Sequence, residues 1–198
     1  MGNEYAWIVA AALVGAGIVA FDIGRRRAQR RRRLSDPTAP PEVDDNYLAL
    51  RLGALTETLD HLGLVVKSEG VKAFGLVIDL GLDGGIVTLS TLITGDIGLY
   101  ASDGGGTLGG LDEPEVKSAA VTAIKYAEAE LGTMTPTKDY PLPAVGQAVF
   151  YLLRSDRSVF TTEDSIERLA AGRSALSPAW TAAHRIFERL GVAAKSPA

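Results

Sequence analysis

Cysteine is absent from the 198 residues, and histidine occurs only twice, as His61 and His184. The first absence removes disulfide staples, thiolate metal sites and thiol nucleophiles; the second leaves too few imidazoles for a histidine-built centre. No metal and no cofactor is therefore expected. Basic charge is missing over one long stretch. Between Ala73 and Val116 there is no Lys, Arg or His, while Asp79, Asp83, Asp96, Asp103, Asp112, Glu113 and Glu115 all fall there. No Gly-Lys-Ser/Thr triplet occurs, and the glycines GGGTLGG do not keep the spacing of a dinucleotide fingerprint. The two commonest phosphate cradles are thereby excluded.

Long apolar runs are confined to one place, Tyr5 to Ile23 (YAWIVAAALVGAGIVAFDI), apolar except for Asp22. At about 1.5 Å per residue such a helix covers roughly the hydrocarbon thickness of a bilayer. Seven arginines follow at once: Arg25, Arg26, Arg27, Arg30, Arg31, Arg32 and Arg33. Positive flanks stay on the cytoplasmic side, which predicts a single-pass protein of the inner (cytoplasmic) membrane, N-terminus outside and domain inside. The same arginines are expected to meet anionic lipid headgroups. Nucleic acid is the weaker reading, because no aromatic side chains interleave with them to stack on bases. Ala12, Ala16, Ala20 and Gly24 recur at four-residue spacing, a small-residue face that suits helix pairing and hence a homodimer.

Composition divides the chain into an anchor (1–24), an Arg-rich and Pro-rich linker (25–45), an α+β domain (46–191) and a short tail (192–198). Pro37, Pro40 and Pro41 mark the linker. From residue 34 onward 13 basic residues stand against 22 acidic ones, a net charge of −9. Such a domain is repelled by acidic lipid and attracts basic partners.

Within the domain, Leu48, Leu52, Leu55, Leu59 and Leu62 repeat at helical spacing and predict one amphipathic helix from Asn46 to about Leu62. Alternation then takes over. Phe74, Leu76, Ile78, Leu80 and Leu82 share one strand face with Asp79 on the other. Val87, Leu89, Thr91 and Ile93, then Ile97, Leu99 and Ala101, follow after short glycine turns, so three strands form an antiparallel meander. Asp79 is expected on the solvated face and is the acidic residue most worth watching as a site. A helix from Asp112 to Leu131, strands over 147–154 and 158–162, and two closing helices complete the prediction. The second closing helix has Ser177 and Pro178 at its start and Gly191 after its end. The expected fold is α+β: an N-terminal single transmembrane helix, then an antiparallel sheet of about five strands packed by helices.

The strings FGLVIDLGL (Phe74 to Leu82), GDIGLYASDGGGTLGG (Gly95 to Gly110) and PLPAVGQAVFYLL (Pro141 to Leu153) carry a resemblance. The chain resembles a group of uncharacterised bacterial proteins that share such a strand, a Leu-Tyr-x-Ser-x-Gly-Gly-Gly segment and a Pro-Leu-Pro before a Phe-Tyr strand. The likeness covers about half the chain and implies no known activity. The order of elements is also broadly similar to single-sheet modules of the profilin and roadblock type, which bears on fold alone.

Between Gly104 and Gly110, five of seven residues are glycine. The segment reads as a loop between strand and helix, offered to a ligand or partner through Ser102, Asp103, Gly104, Gly105, Gly106, Thr107, Gly109 and Gly110. Two functions follow. The first is a membrane-anchored interaction or regulatory module without catalysis, engaging a protein partner. The second is a small-molecule or nucleotide-binding enzyme that uses the loop over 102–110, with Asp79 or Asp103 as acid or base; Ser102 and Thr107 lack an assignable His or Lys partner.

Overall fold

The computed structural model describes residues 43–65, 70–109 and 113–189. Helix α1 (Asp45–Leu55) leads into a meander of β1 (Ala73–Leu82), β2 (Gly85–Leu92), β3 (Ile97–Ala101) and β4 (Gly106–Gly109). Helix α2 (Pro114–Ala129), β5 (Thr135–Thr137), β6 (Gln147–Arg154), β7 (Val159–Ser165), α3 (Ile166–Ala170) and α4 (Ser177–Arg189) follow. The strands make one seven-stranded sheet in the order β4-β3-β2-β1-β6-β7-β5, antiparallel at every pairing.

Two expectations about fold class are corrected. The sheet has seven strands rather than about five. The extra two come from stretches that sequence assigns to loop: β4 from the glycine segment, and the three-residue β5 (Thr135–Thr137). Among the described residues no helix is long and apolar enough to cross a membrane. The longest, α2, has 16 residues, and its buried positions occupy one side only; a membrane-spanning helix needs about 20 apolar residues. The membrane and single-pass reading is thus without a supporting helix. Its basis, Tyr5 to Ile23, lies outside the described residues, as do the seven arginines over 25–33.

β1 is the organising strand. Its ten residues read AFGLVIDLGL, and all but the last are buried. Such a run is expected for a strand covered on both faces. Leu76, Ile78 and Leu80 point to one side, where Leu89, Leu99, Phe150 and Leu152 join them against Ala120, Ile124 and Ala127 of α2 and Ala183, Ile186 and Phe187 of α4. On the other side Val77, Val149, Tyr151 and Leu153 pack with Leu55 of α1, supported by Leu59, Leu62 and Tyr140. Phe74 belongs to this second cluster. An irregularity in the β1–β6 register between Ala73 and Gly75 gives one residue too many, which turns Phe74 away from the face that plain alternation assigns it.

Helix α1 is shorter than the leucine spacing suggests. It ends at Leu55 because Thr56 caps it: its N–H reaches the carbonyls of Leu52 and Gly53, and its hydroxyl donates to Leu52 at 2.8 Å. Its buried side is Tyr47, Arg51 and Leu55, while Leu48 and Leu52 are 40% and 53% exposed.

Candidate functional site

The polar centre of the domain lies under α1. Asp79, at the middle of β1, is fully buried, and its expected place on a solvated face is corrected: α1 covers that face. Arg51 Nε and Nη2 both donate to Asp79 Oδ2, at 2.8 and 2.6 Å. The Thr88 hydroxyl, from the neighbouring strand β2, donates to Oδ1 at 2.5 Å. Since Thr88 gives its proton to Asp79, the Tyr47 hydroxyl 2.9 Å away donates to Thr88. Arg51 Nη1 and Nη2 also donate to the carbonyls of Tyr140 at 3.0 Å and Pro141 at 3.1 Å. Tyr151 completes the shell. Its hydroxyl donates to Pro141 O at 3.0 Å, its ring meets Tyr140 edge-on, and its face lies 5.7 Å from the Arg51 guanidinium.

Burial pushes the Asp79 carboxyl above the usual carboxylate range, against the opposing pull of Arg51 and Thr88. Burial works against the Arg51 charge too, but hydrogen bonds and attraction from Asp79 outweigh it and raise the guanidinium pKa. A guanidinium does not lose its proton at physiological pH, so a neutral Asp79 would leave a buried cation uncompensated; the pair is ionic at neutral pH. Burial likewise pushes the phenols of Tyr47 and Tyr151 up to about 12. These groups satisfy one another. The cluster pins α1 to the sheet and ties the 140–141 backbone to both.

Beside the pin lies a groove of about 320 Å³ between α1 and the β2–β3 half of the sheet. Ala49, Leu50, Gly53 and Ala54 form the helix wall, with Val77, Leu92 and Leu153 along the sheet. Its floor carries the Ser90 and Tyr100 hydroxyls, 3.3 Å apart. Gly98 lies directly under the Tyr100 hydroxyl, where a Cβ would collide with it, so this glycine lets the phenol fold back along its own strand. Glu57 and Asp96 supply the carboxylates that line the groove. Burial raises the Tyr100 pKa, and the charge of Glu57 adds to the rise.

The glycine segment is built differently from its expected form. It is a β-hairpin turn and an edge strand, with Gly106 and Thr107 paired to Tyr100 and Leu99, and Gly109 to Ile97. Ser102 is buried and stitches three segments together: its Oγ accepts from Ile86 N at 2.9 Å, its N–H donates to Ile86 O, and its carbonyl accepts from Asp44 N. Asp103 is half-buried in the turn. Gly104 has φ 89°, and a Cβ there would come within 2.9 Å of the Asp44 carboxyl carbon. Gly105 accepts from Ala101 N at 2.7 Å. Gly110 lies outside the described residues. In its described part, residues 102–109, the segment is turn and edge strand rather than a helix start, and it does not converge with Asp79, which sits beneath α1.

Arg51, Tyr47, Thr88 and Tyr151 are the members that sequence reasoning missed. A signal was present. Gly75, Val77 and Gly81 alternate with the aliphatic residues of β1, leaving no polar face on which Asp79 could be solvated, and Arg51 is the one Lys or Arg between residues 43 and 65. A buried carboxylate needs a cation, and α1 supplies it. Among the described residues no group of three or more His, Cys, Asp or Glu side chains is placed to hold a metal. The chain matches no family model, no curated protein and no solved structure.

Proposed function

We infer that the chain is a non-catalytic interaction and regulatory module whose contact surface is the α1 side of the sheet. The observation that carries this reading is the inverted burial of α1. The helix buries its charge, Arg51, between Tyr47 and Leu55, and exposes two of its leucines, Leu48 and Leu52. With Arg51, Tyr47 and Leu55 attaching the helix, Leu48 and Leu52 are left free for a second surface. The polar cluster itself is saturated by its own members, so it positions α1 and has no donor or acceptor aimed at a reacting group.

Charge identifies the class of partner. Glu57 and Asp96 line the groove, and neither meets a Lys or Arg among the described residues. A basic segment of a partner protein, with an apolar residue to enter between α1 and the sheet, complements both features.

The test is a fluorescence anisotropy titration of the full-length protein with a Leu/Arg peptide and with its Leu/Glu counterpart. The Leu/Arg peptide is expected to bind, to weaken with added salt, and to lose about tenfold in affinity against Glu57→Lys/Asp96→Lys, which reverses the charge of the groove. Equal binding of both peptides, or an unchanged affinity in the variant, would overturn the reading.

A further inference from the structure

We propose that the chain carries its own ligand for this groove: the arginine-rich stretch from Arg25 to Leu34 docks between α1 and β2–β3 and competes there with the basic segment of a partner. The proposal rests on the groove being a contact surface, and it adds how access to that surface is regulated.

Three observations converge. The first is charge. Several exposed carboxylates elsewhere already have cations: Asp60 meets Arg157, Glu167 meets Arg173 and Glu115 meets Arg189. Glu57 accepts from Thr58 N at 2.9 Å and has His61 beside it at 3.2 Å, and Asp96 accepts from the Thr94 hydroxyl. The groove thus holds two carboxylates that no Lys or Arg of the described residues neutralises, and the chain holds seven arginines over 25–33 outside them.

The second is reach. The described chain begins at residue 43 on this same side of the sheet, where Asp44 N donates to Ser102 O at 2.9 Å and α1 starts one residue later. From Asp45 to Gly53 the helix advances about 12 Å, whereas eight linking residues, 35–42, can span up to about 28 Å. Arg30 to Leu34 can therefore reach the groove without moving the domain.

The third is composition. Leu34 directly follows four consecutive arginines. That places one apolar side chain next to a block of positive charge, matching aliphatic walls lined by two carboxylates. A tethered segment competes at an effective concentration in the millimolar range, so individually weak contacts suffice to hold it.

Because the chain has no cysteine, the test can use two introduced ones. Ala28→Cys keeps every arginine, and Ala49→Cys places a label at the groove wall; both are spin-labelled in the full-length protein and their separation is read by pulsed electron resonance. A short, narrow distance distribution is expected, and it should lengthen and broaden when Glu57→Lys and Asp96→Lys are added at an unchanged melting midpoint. In parallel, a synthetic peptide of residues 25–34 is titrated against the native chain and against a chain with all seven arginines changed to Gln. The Gln chain is expected to bind the peptide about tenfold more tightly, because its internal competitor is gone. A distance distribution indifferent to the charge reversals, or equal peptide affinity for both chains, overturns the internal ligand. If the peptide still binds and Glu57→Lys/Asp96→Lys abolishes that binding, the groove survives as a contact surface. If it binds neither chain, the groove reading falls as well.

Discussion

Arg51 and Asp79 show how one pair of residues can replace a hydrophobic stripe. Asp79 alone, at the centre of a strand buried on both faces, would be a large penalty; with Arg51 it becomes the attachment point of a helix. The cost of removing one partner follows from that dependence. Arg51→Met or Asp79→Leu is expected to lower unfolding free energy by about 3 to 5 kcal/mol, because each leaves the other charge buried and uncompensated. The joint replacement Arg51→Met/Asp79→Leu should cost much less than the sum of the two single losses. Urea denaturation of the four proteins measures the coupling, and additive losses would show that the two residues do not act as a unit. Legibility at this scale was partial. Asp79 stood out in the sequence as a lone carboxylate among aliphatics, but its partner lies 28 positions away and carries no local mark of the pairing.

At the scale of elements, the strands were legible and the first helix was misread. Period-two alternation follows from covalent geometry, so the two faces of β1, β2 and β3 emerge correctly, apart from Phe74 at the register irregularity. The leucine spacing holds at Leu55, Leu59 and Leu62, which pack on the sheet, but fails at Leu48 and Leu52, where the buried ion pair turns Arg51 inward instead. This has a measurable consequence. Leu48→Glu/Leu52→Glu is expected to change stability by no more than about 0.5 kcal/mol, the usual range for exposed positions away from the core. A loss of several kcal/mol in chemical denaturation would mean that the leucines, and not Arg51, attach the helix. The glycine segment went unrecognised as a strand for a related reason. A strand without side chains has no hydrophobic period, and only its pairing with β3 identifies it.

For the molecule as a whole, three phenols are tied into the same structure. Tyr47 and Tyr151 hold their protons up to about 12, and burial raises Tyr100 as well. In the unfolded chain a tyrosine ionises near 10, so the folded state binds more protons above that pH. Their contribution to stability is fully present below about pH 10 and is lost between about 10 and 12. Alkaline titration should therefore show these tyrosinates appearing together with the loss of circular dichroism, in one step. Ionisation of all three in a still-folded domain would contradict the burial assigned to them. The two determinants of this protein separate by range. Composition and spacing within a few residues determined the lack of thiols, the acidic balance, the meander and the turns, because those depend on local backbone geometry and on residue type. Only the tertiary structure decided that Asp79 is buried, that Arg51 answers it, that the glycine segment is an edge strand and that an acid-lined groove opens beside α1. Each of those depends on segments distant in sequence meeting across the sheet, where the cost of burying a charge selects which one docks.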